Sequence, residues 1–271
     1  MWGLLLLLFN ADISAQTLRR PLTATGTGLG AYSRNHSTLF SITTNQGALA
    51  RLKNTAIAFY GERKYLLGEL NYYTAVIGFP AGSGNFGLKA NYSGFSDYNE
   101  SQLGIAYARS LGKKLDAGLQ FNYNGIRIAS SYGSASAFSA ELGVLLHITE
   151  KFHTGIHIDN PAGGKFGKRR EERIASVYTF GMGYEASEKF FISAEISKEE
   201  DRPVNVNAGM QYRFIPWLLV KGGFSAATAS GWLGAGLTKG NLHMEILTQY
   251  HPQLGVTPGL MLQFDWKKEK K

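Results

Sequence analysis

The chain has 271 residues, 44% hydrophobic and 13% aromatic, with 33 Gly and only 7 Pro. That composition excludes a disordered or collagen-like chain and suits one large all-β domain, while the absence of cysteine excludes disulfides and thiolate metal sites. Lys and Arg number 28 against 20 Asp and Glu, but this +8 gathers in turns and in the terminal KKEKK, so nucleic acid is not an expected partner.

Residues 1–15 read as a secretory signal: Leu4 to Phe9 is a short apolar run, and Ala15 is the small residue expected before cleavage. No other stretch approaches the roughly 20 apolar residues of a transmembrane helix. Residues 16–54 alternate weakly and carry the small residues of TGTGLGAY, which predicts a plug rather than wall strands, with a short turn of helix near QGALARLKN.

From residue 55 to 266 one grammar repeats. Segments of about ten residues alternate in hydrophobicity between turn residues, and counting them predicts about fourteen strands. In AFSAELGVLLHIT, Phe138, Ala140, Leu142, Val144, Leu146 and Ile148 share one face. Glu141, Gly143, Leu145, His147 and Thr149 share the other. NFGLKANYSGF sets Phe86, Leu88, Ala90 and Tyr92 against Gly87, Lys89 and Asn91. VNVNAGMQYRF sets Met210, Tyr212 and Phe214 against Gln211 and Arg213. Residues 267–271 are left as a basic tail.

One such strand fits a soluble sandwich as well as a membrane barrel. The connections discriminate. AGSGN, LGKKLD, TEKF, ASEKF, IPW and TKGN are tight, whereas SGFSDYNES, SSYGSASA, HPQLGVTPG and DNPAGGKFGKRREERIA are longer and interleave with them. Aromatics fall at both strand ends: Phe86, Tyr107, Phe152, Tyr184, Phe190, Phe214, Trp217 and Trp266 near the tight turns, Tyr92, Tyr123, Phe224 and Tyr250 near the others. Two aromatic girdles around an apolar band predict an all-β transmembrane antiparallel barrel, integral to the outer membrane, with its polar face lining the lumen. A charge at Val144 should then be costly, and Gly143→Ser on the lumen face much less so.

The predicted lumen carries Lys89, Asn91, Glu141, His147, His153, His157, Glu195, Arg213, Lys221 and Glu245. Both signs occur, so cross-strand ion pairs are expected. His153 and His157 stand four apart on a strand, too far for one metal ion by themselves, and no cofactor is predicted. No hydrolase motif emerges, so an enzyme is not expected. The densest charge run, KFGKRREER, brings Lys165, Lys168, Arg169, Arg170 and Arg173 to one loop. It reads as a solvated loop, or as a docking surface for an envelope protein or lipopolysaccharide phosphates, beside a loop stiffened by Pro252 and Pro258.

Residues 31–52, AYSRNHSTLFSITTNQGALARL, leading into NTAIAFYGERKYLLGELNYY, resemble the opening of fatty-acid-transporter-type (FadL-like) outer-membrane barrels. The similarity is to the Bacteroidota branch that includes the type IX secretion shuttle and attachment barrels. The resemblance implies fourteen strands in the outer membrane of a Gram-negative bacterium, with the N-terminal segment folded into the lumen as a hatch. The family's Asn-Pro-Ala signature falls at Asn45, Gln46 and Gly47, followed by Ala48, with the proline replaced. Two functions follow: a non-enzymatic accessory barrel that binds partners in envelope protein secretion or assembly, or a channel for hydrophobic small molecules. Modest loops and a charged lumen favour the first.

Overall fold

The computed structural model describes residues 26, 28–129, 133–166, 173–200 and 202–266. The predicted signal 1–15, the first part of the predicted plug, Lys168, Arg169, Arg170 and the tail 267–271 lie outside the described residues.

Fourteen strands close into one antiparallel barrel. In chain order they are β1 (Thr55–Arg63), β2 (Asn71–Ala81), β3 (Gly84–Gly94), β4 (Tyr98–Ser110), β5 (Leu115–Ile128), β6 (Gly133–His147) and β7 (Phe152–Asp159). The second half comprises β8 (Val177–Glu185), β9 (Phe190–Glu199), β10 (Asn205–Ile215), β11 (Leu218–Ser225), β12 (Ser230–Lys239), β13 (Leu242–His251) and β14 (Gly255–Trp266). Each pairs with its sequence neighbours, and β1 closes on β14 from Thr55↔Trp266 to Glu62↔Gly259. Closure leaves no strand edge, so the ladder satisfies the wall's backbone groups without water.

The alternation read from the sequence becomes an inside and an outside. Leu103, Ile105, Phe121, Leu233 and Phe138 are exposed, Phe138 at 76%, while Gly104, Gln120, Asn122, Trp232, Ala137 and Ser139 beside them are buried. Aromatics ring the tight-turn rim in contact with one another: Phe86 lies 5.8 Å from Phe79 and 5.0 Å from Tyr107, and Phe264 lies 4.9 Å from Trp266. Among the described residues no helix is long and apolar enough to cross a membrane, which says nothing about crossing by strands.

Three of the four longer connections differ from expectation. SGFSDYNES, SSYGSASA and HPQLGVTPG are mostly strand: β3 runs to Gly94 and β4 restarts at Tyr98, β6 begins at Gly133, and β14 begins at Gly255. The reason is register. Polar residues such as Ser93↔Glu100 and Ser134↔Arg127 continue the ladders above the apolar band, where strands still pair although neither face is greasy. Pro258 is accordingly a strand residue opposite Thr248 rather than part of a stiff loop tip. The connection 160–176 is the long one.

Inside the barrel runs a chain of 3-10 helices, Leu29–Tyr32, Leu39–Thr43 and Gln46–Arg51, which joins β1 at the tight-turn rim. Leu39, Phe40, Ile42 and Leu49 are buried against Ala56, Ala58, Val76, Ala106 and Ala108, inward residues of β1, β2 and β4. Small wall residues here leave room for large ones on the segment. This cluster is the apolar core of the molecule, and burying each such side chain contributes roughly 1.5–3 kcal/mol.

Candidate functional site: the barrel interior

Glu141 of β6 organises the middle of the lumen. Its Oε1 lies 3.1 Å from Lys89 Nζ of β3 and accepts from Gln120 Nε2 at 2.7 Å and Asn122 Nδ2 at 2.8 Å. Its Oε2 contacts His157 Nε2 at 3.2 Å and accepts from Gln46 Nε2 of the internal segment. A buried carboxylate requires this density of partners, since a lone charge in such a place would be expelled or neutralised. A second centre lies across the barrel, where Glu245 takes Lys221 Nζ at 2.7 Å and His243 Nε2 at 2.8 Å. Glu195 forms a third, accepting from Tyr32 Oη at 3.1 Å and Asn207 Nδ2 at 2.9 Å.

Asn91 belongs to an amide ladder that crosses four strands. It donates to Gln102 at 2.8 Å, Gln102 to Asn124 at 2.8 Å, and Asn124 to Ser139 at 3.0 Å. Of the ten polar residues predicted to line the lumen, nine are buried inside the barrel; Arg213 is half-buried at the tight-turn end of β10, beside the irregularity between Arg213 and Ile215. Among the described residues, no three His, Cys, Asp or Glu converge as a metal site.

The predicted hatch motif meets the wall directly. Asn45 caps the 3-10 helix Gln46–Arg51 by accepting from the Gly47 amide at 2.9 Å. Its Nδ2 donates to the wall carbonyl of Ile156 at 3.0 Å. Gln46 binds Glu141, and Ala48 packs beside the cluster of Leu29, Tyr32, Leu145 and Trp232. The space for this contact is made at Gly143, where a Cβ would lie 2.4 Å from Asn45 Oδ1 and 2.6 Å from the Gln46 nitrogen. Gly143→Ser is therefore not the mild change that an open lumen face suggested: this face is covered.

The sequence reading missed several residues that tie the segment to the wall. Asp116 pairs with Arg51 and with His147 Nε2 at 2.8 Å. Glu185 accepts from Ser33 Oγ at 2.8 Å, the Arg34 amide at 2.5 Å and Asn35 Nδ2 at 2.5 Å, and meets His153 Nε2 at 3.0 Å. Both carboxylates stand at strand ends, where the turns LGKKLD and ASEKF made them look solvated. Their inward parity was the available signal.

Above the segment lies a cavity of about 560 Å³. Thr43, Lys89 and Glu141 line its inner part, Tyr72 and Trp232 its sides, and Arg202, Pro203 and Thr228 the outer rim. Phe166, from the long connection, reaches into the cavity and is buried with Ile126 and Ala137. Asn160 holds the stem of that loop: its Oδ1 accepts from the Gly164 amide at 2.9 Å and its Nδ2 donates to the Ile174 carbonyl at 2.5 Å. Lys165 and Arg173, from the predicted docking run, are backbone partners of one another in an isolated bridge.

No family model matches the chain, and no curated protein is similar to it in sequence. Solved structures are similar in fold. The monoaromatic hydrocarbon channel CymD superposes with a TM-score of 0.64 at 10% identity, over 86% of this chain and 94% of that one. The Ralstonia pickettii toluene transporter TbuX gives 0.63 at 10%, over 85% and 94%. The P. putida toluene transporter TodX gives 0.62 at 7%, over 86% and 95%. At these identities the likeness establishes the fold alone, a closed antiparallel β-barrel. These neighbours are a channel and two transporters, and they lend no support to the secretion branch of the resemblance.

Proposed function

We propose that the protein is an integral outer-membrane channel for small, predominantly hydrophobic molecules. The observation that carries this reading is the internal cavity of about 560 Å³, open at the long-loop rim and floored by the segment 29–51. A cavity of a few hundred Å³ fits a small organic ligand rather than a protein partner. Tyr72, Trp232, Phe166, Ile174 and Val177 supply apolar and aromatic surface to it, and the amide ladder supplies orienting hydrogen bonds. The exposed apolar band is far larger than a water-soluble surface tolerates, which calls for lipid around it.

The hydrocarbon channels that share the fold favour this role over the secretion-accessory role. The latter leaned on two loops, and one of them, residues 250–259, is mostly a strand hairpin. Uptake of labelled toluene and of labelled long-chain fatty acid into proteoliposomes tests the channel. Faster entry than into protein-free vesicles supports it. Entry no faster than the bare bilayer allows, for both compounds, overturns it.

A further inference from the structure

His147 and His153 are cross-strand partners of β6 and β7, and their Nδ1 atoms lie 2.9 Å apart. Each ring's other nitrogen faces a buried carboxylate: His147 Nε2 is 2.8 Å from Asp116 Oδ2, and His153 Nε2 is 3.0 Å from Glu185 Oε1. Asp116 also accepts from Arg51, and Glu185 from Ser33, Arg34 and Asn35, so both carboxylates are acceptors with donors all around them. Arg51 Nε also lies 3.2 Å from His147 Nε2, but it bonds Asp116 more closely, at 2.5 Å, and a bare His147 Nε2 would set its lone pair against that carboxylate at 2.8 Å; a hydrogen on each Nε2 avoids this. The Nδ1 contact is a hydrogen bond only if one of these two nitrogens is protonated and the other is not. Three hydrogens on the four ring nitrogens meet all of these contacts at once, with one imidazolium and one neutral imidazole sharing a proton. Two hydrogens would set lone pair against lone pair at Nδ1, or against a carboxylate. Four would set two N–H donors and two positive charges face to face.

The three-hydrogen state also balances charge, because Asp116 and Glu185 offset Arg51 and the shared imidazolium. The remaining charged or titratable groups around the relay are Arg34 and His36 on the internal segment, and Arg213 on β10. Lys113, Lys114, Glu150 and Lys151 stand at the adjoining turns. Arg34 itself is bound to the Lys113 carbonyl at 2.7 Å and to Glu150 at 3.5 Å, and His36 Nδ1 meets Gln211 Nε2 at 3.0 Å. The relay thus sits at the tight-turn mouth, where both ends of the internal segment are tied to the wall: residues 33–35 through Glu185, and Arg51 through Asp116.

We propose that this relay is an acid-sensitive latch on the internal segment. At neutral pH the shared proton joins β6 to β7 and keeps both carboxylates aimed at the segment. On acidification a proton from solvent enters at the unprotonated Nδ1, the Nδ1–Nδ1 hydrogen bond is lost, and the two imidazolium rings part. The anchors on Glu185 and Asp116 move with them, and the segment is released from the mouth. The opening of a channel as a consequence rests on the function proposed above; the release itself does not.

The chain has no cysteine, so one introduced thiol reports on the segment without background. Ala31→Cys places it in the internal segment at a fully buried site, and Ser96→Cys gives an exposed reference on another connection. Maleimide labelling of the first relative to the second is compared in membranes at about pH 7 and about pH 5, alongside single-channel conductance, in the otherwise native protein and with His153→Gln. Both labelling ratio and conductance should rise several-fold with acid, and His153→Gln, which cannot take the second proton, should abolish the rise. Heat-modified gel mobility checks that the variant barrel is folded, and His147→Gln serves if it is not. A labelling ratio that does not change with pH, or that rises equally in a folded His variant, overturns the latch. A pH-dependent ratio with unchanged conductance upholds the latch and counts against the channel.

Discussion

The ring of Tyr32 occupies the place where a side chain at Gly181 would be: a Cβ built there would lie 2.0 Å from the Tyr32 Cζ. The phenol then reaches past β8 to donate to Glu195 on β9 at 3.1 Å. An inward glycine and an aromatic of the internal segment are thus one fitted pair. Gly181→Ala should push the ring out of its seat, at a cost of about 1–3 kcal/mol for overpacking, and loosen the segment while the wall persists. Tyr32→Ala carries its own cost, because it gives up a buried ring and the bond to Glu195, but in that background Gly181→Ala should cost little further. Urea unfolding of the single and double variants in detergent measures the difference.

Val144 and Gly143 are adjacent on β6 and face opposite media. Val144 is 40% exposed on the outer wall, so Val144→Arg near mid-membrane should cost roughly 2–4 kcal/mol. Gly143→Ser should be costly too, because its Cβ meets Asn45 and Gln46. Deleting residues 29–51 separates the two causes. It should rescue Gly143→Ser and leave Val144→Arg as damaged as before, as read by the fraction refolded into lipid vesicles.

Much of the wall is legible in the sequence because a strand's two faces see different solvents and the period of two records it. Leu142, Val144 and Leu146 against Glu141 and His147 are enough to orient β6. Other features are set by contacts that no local pattern records. The His147–His153 pair depends on the register of the β6–β7 hairpin, which turns over residues 148–151. Six residues apart, the two rings have no spacing that marks them as partners. Gly143 reads as polar lining, although its role is to admit Asn45, and nothing local marks Gly181 as the seat of Tyr32 from distant sequence. The hairpin tips read as loops because above the apolar band the alternation that marks a strand disappears while its hydrogen bonds continue. The internal segment was visible only as weak alternation, since 3-10 turns packed on all sides carry neither period.

Lys89 and Glu141 form an ion pair with both side chains almost wholly buried. Removing only the cation, by Lys89→Met, leaves Glu141 charged among amides and His157, and should destabilise by about 3–5 kcal/mol. Lys89→Met with Glu141→Gln removes both charges, keeps an acceptor for Asn122 and Gln120, and should recover more than half of that. The coupling between the two changes, from urea midpoints at constant slope, distinguishes a pair that acts together from two independent polar residues.

Phe166 closes the list of contacts that shape the cavity mouth, and its effect should appear in rate rather than in stability. The loop carrying it is held at its stem by Asn160, which sits at φ 53 with its side chain bonded to Gly164 and Ile174. Asparagine tolerates that left-handed backbone and binds its neighbours from it, so the stem stays formed when the tip is altered. Phe166→Ala removes a ring from the cavity wall beside Ile126 and Ala137 without touching the Glu141 centre below. Labelled toluene should then enter proteoliposomes several-fold faster, with the urea midpoint of the barrel nearly unchanged. Asn160→Val, by contrast, strains the stem and should lower the midpoint as well. If Phe166→Ala leaves the entry rate unchanged while the barrel remains folded, the cavity mouth is not the path that limits entry.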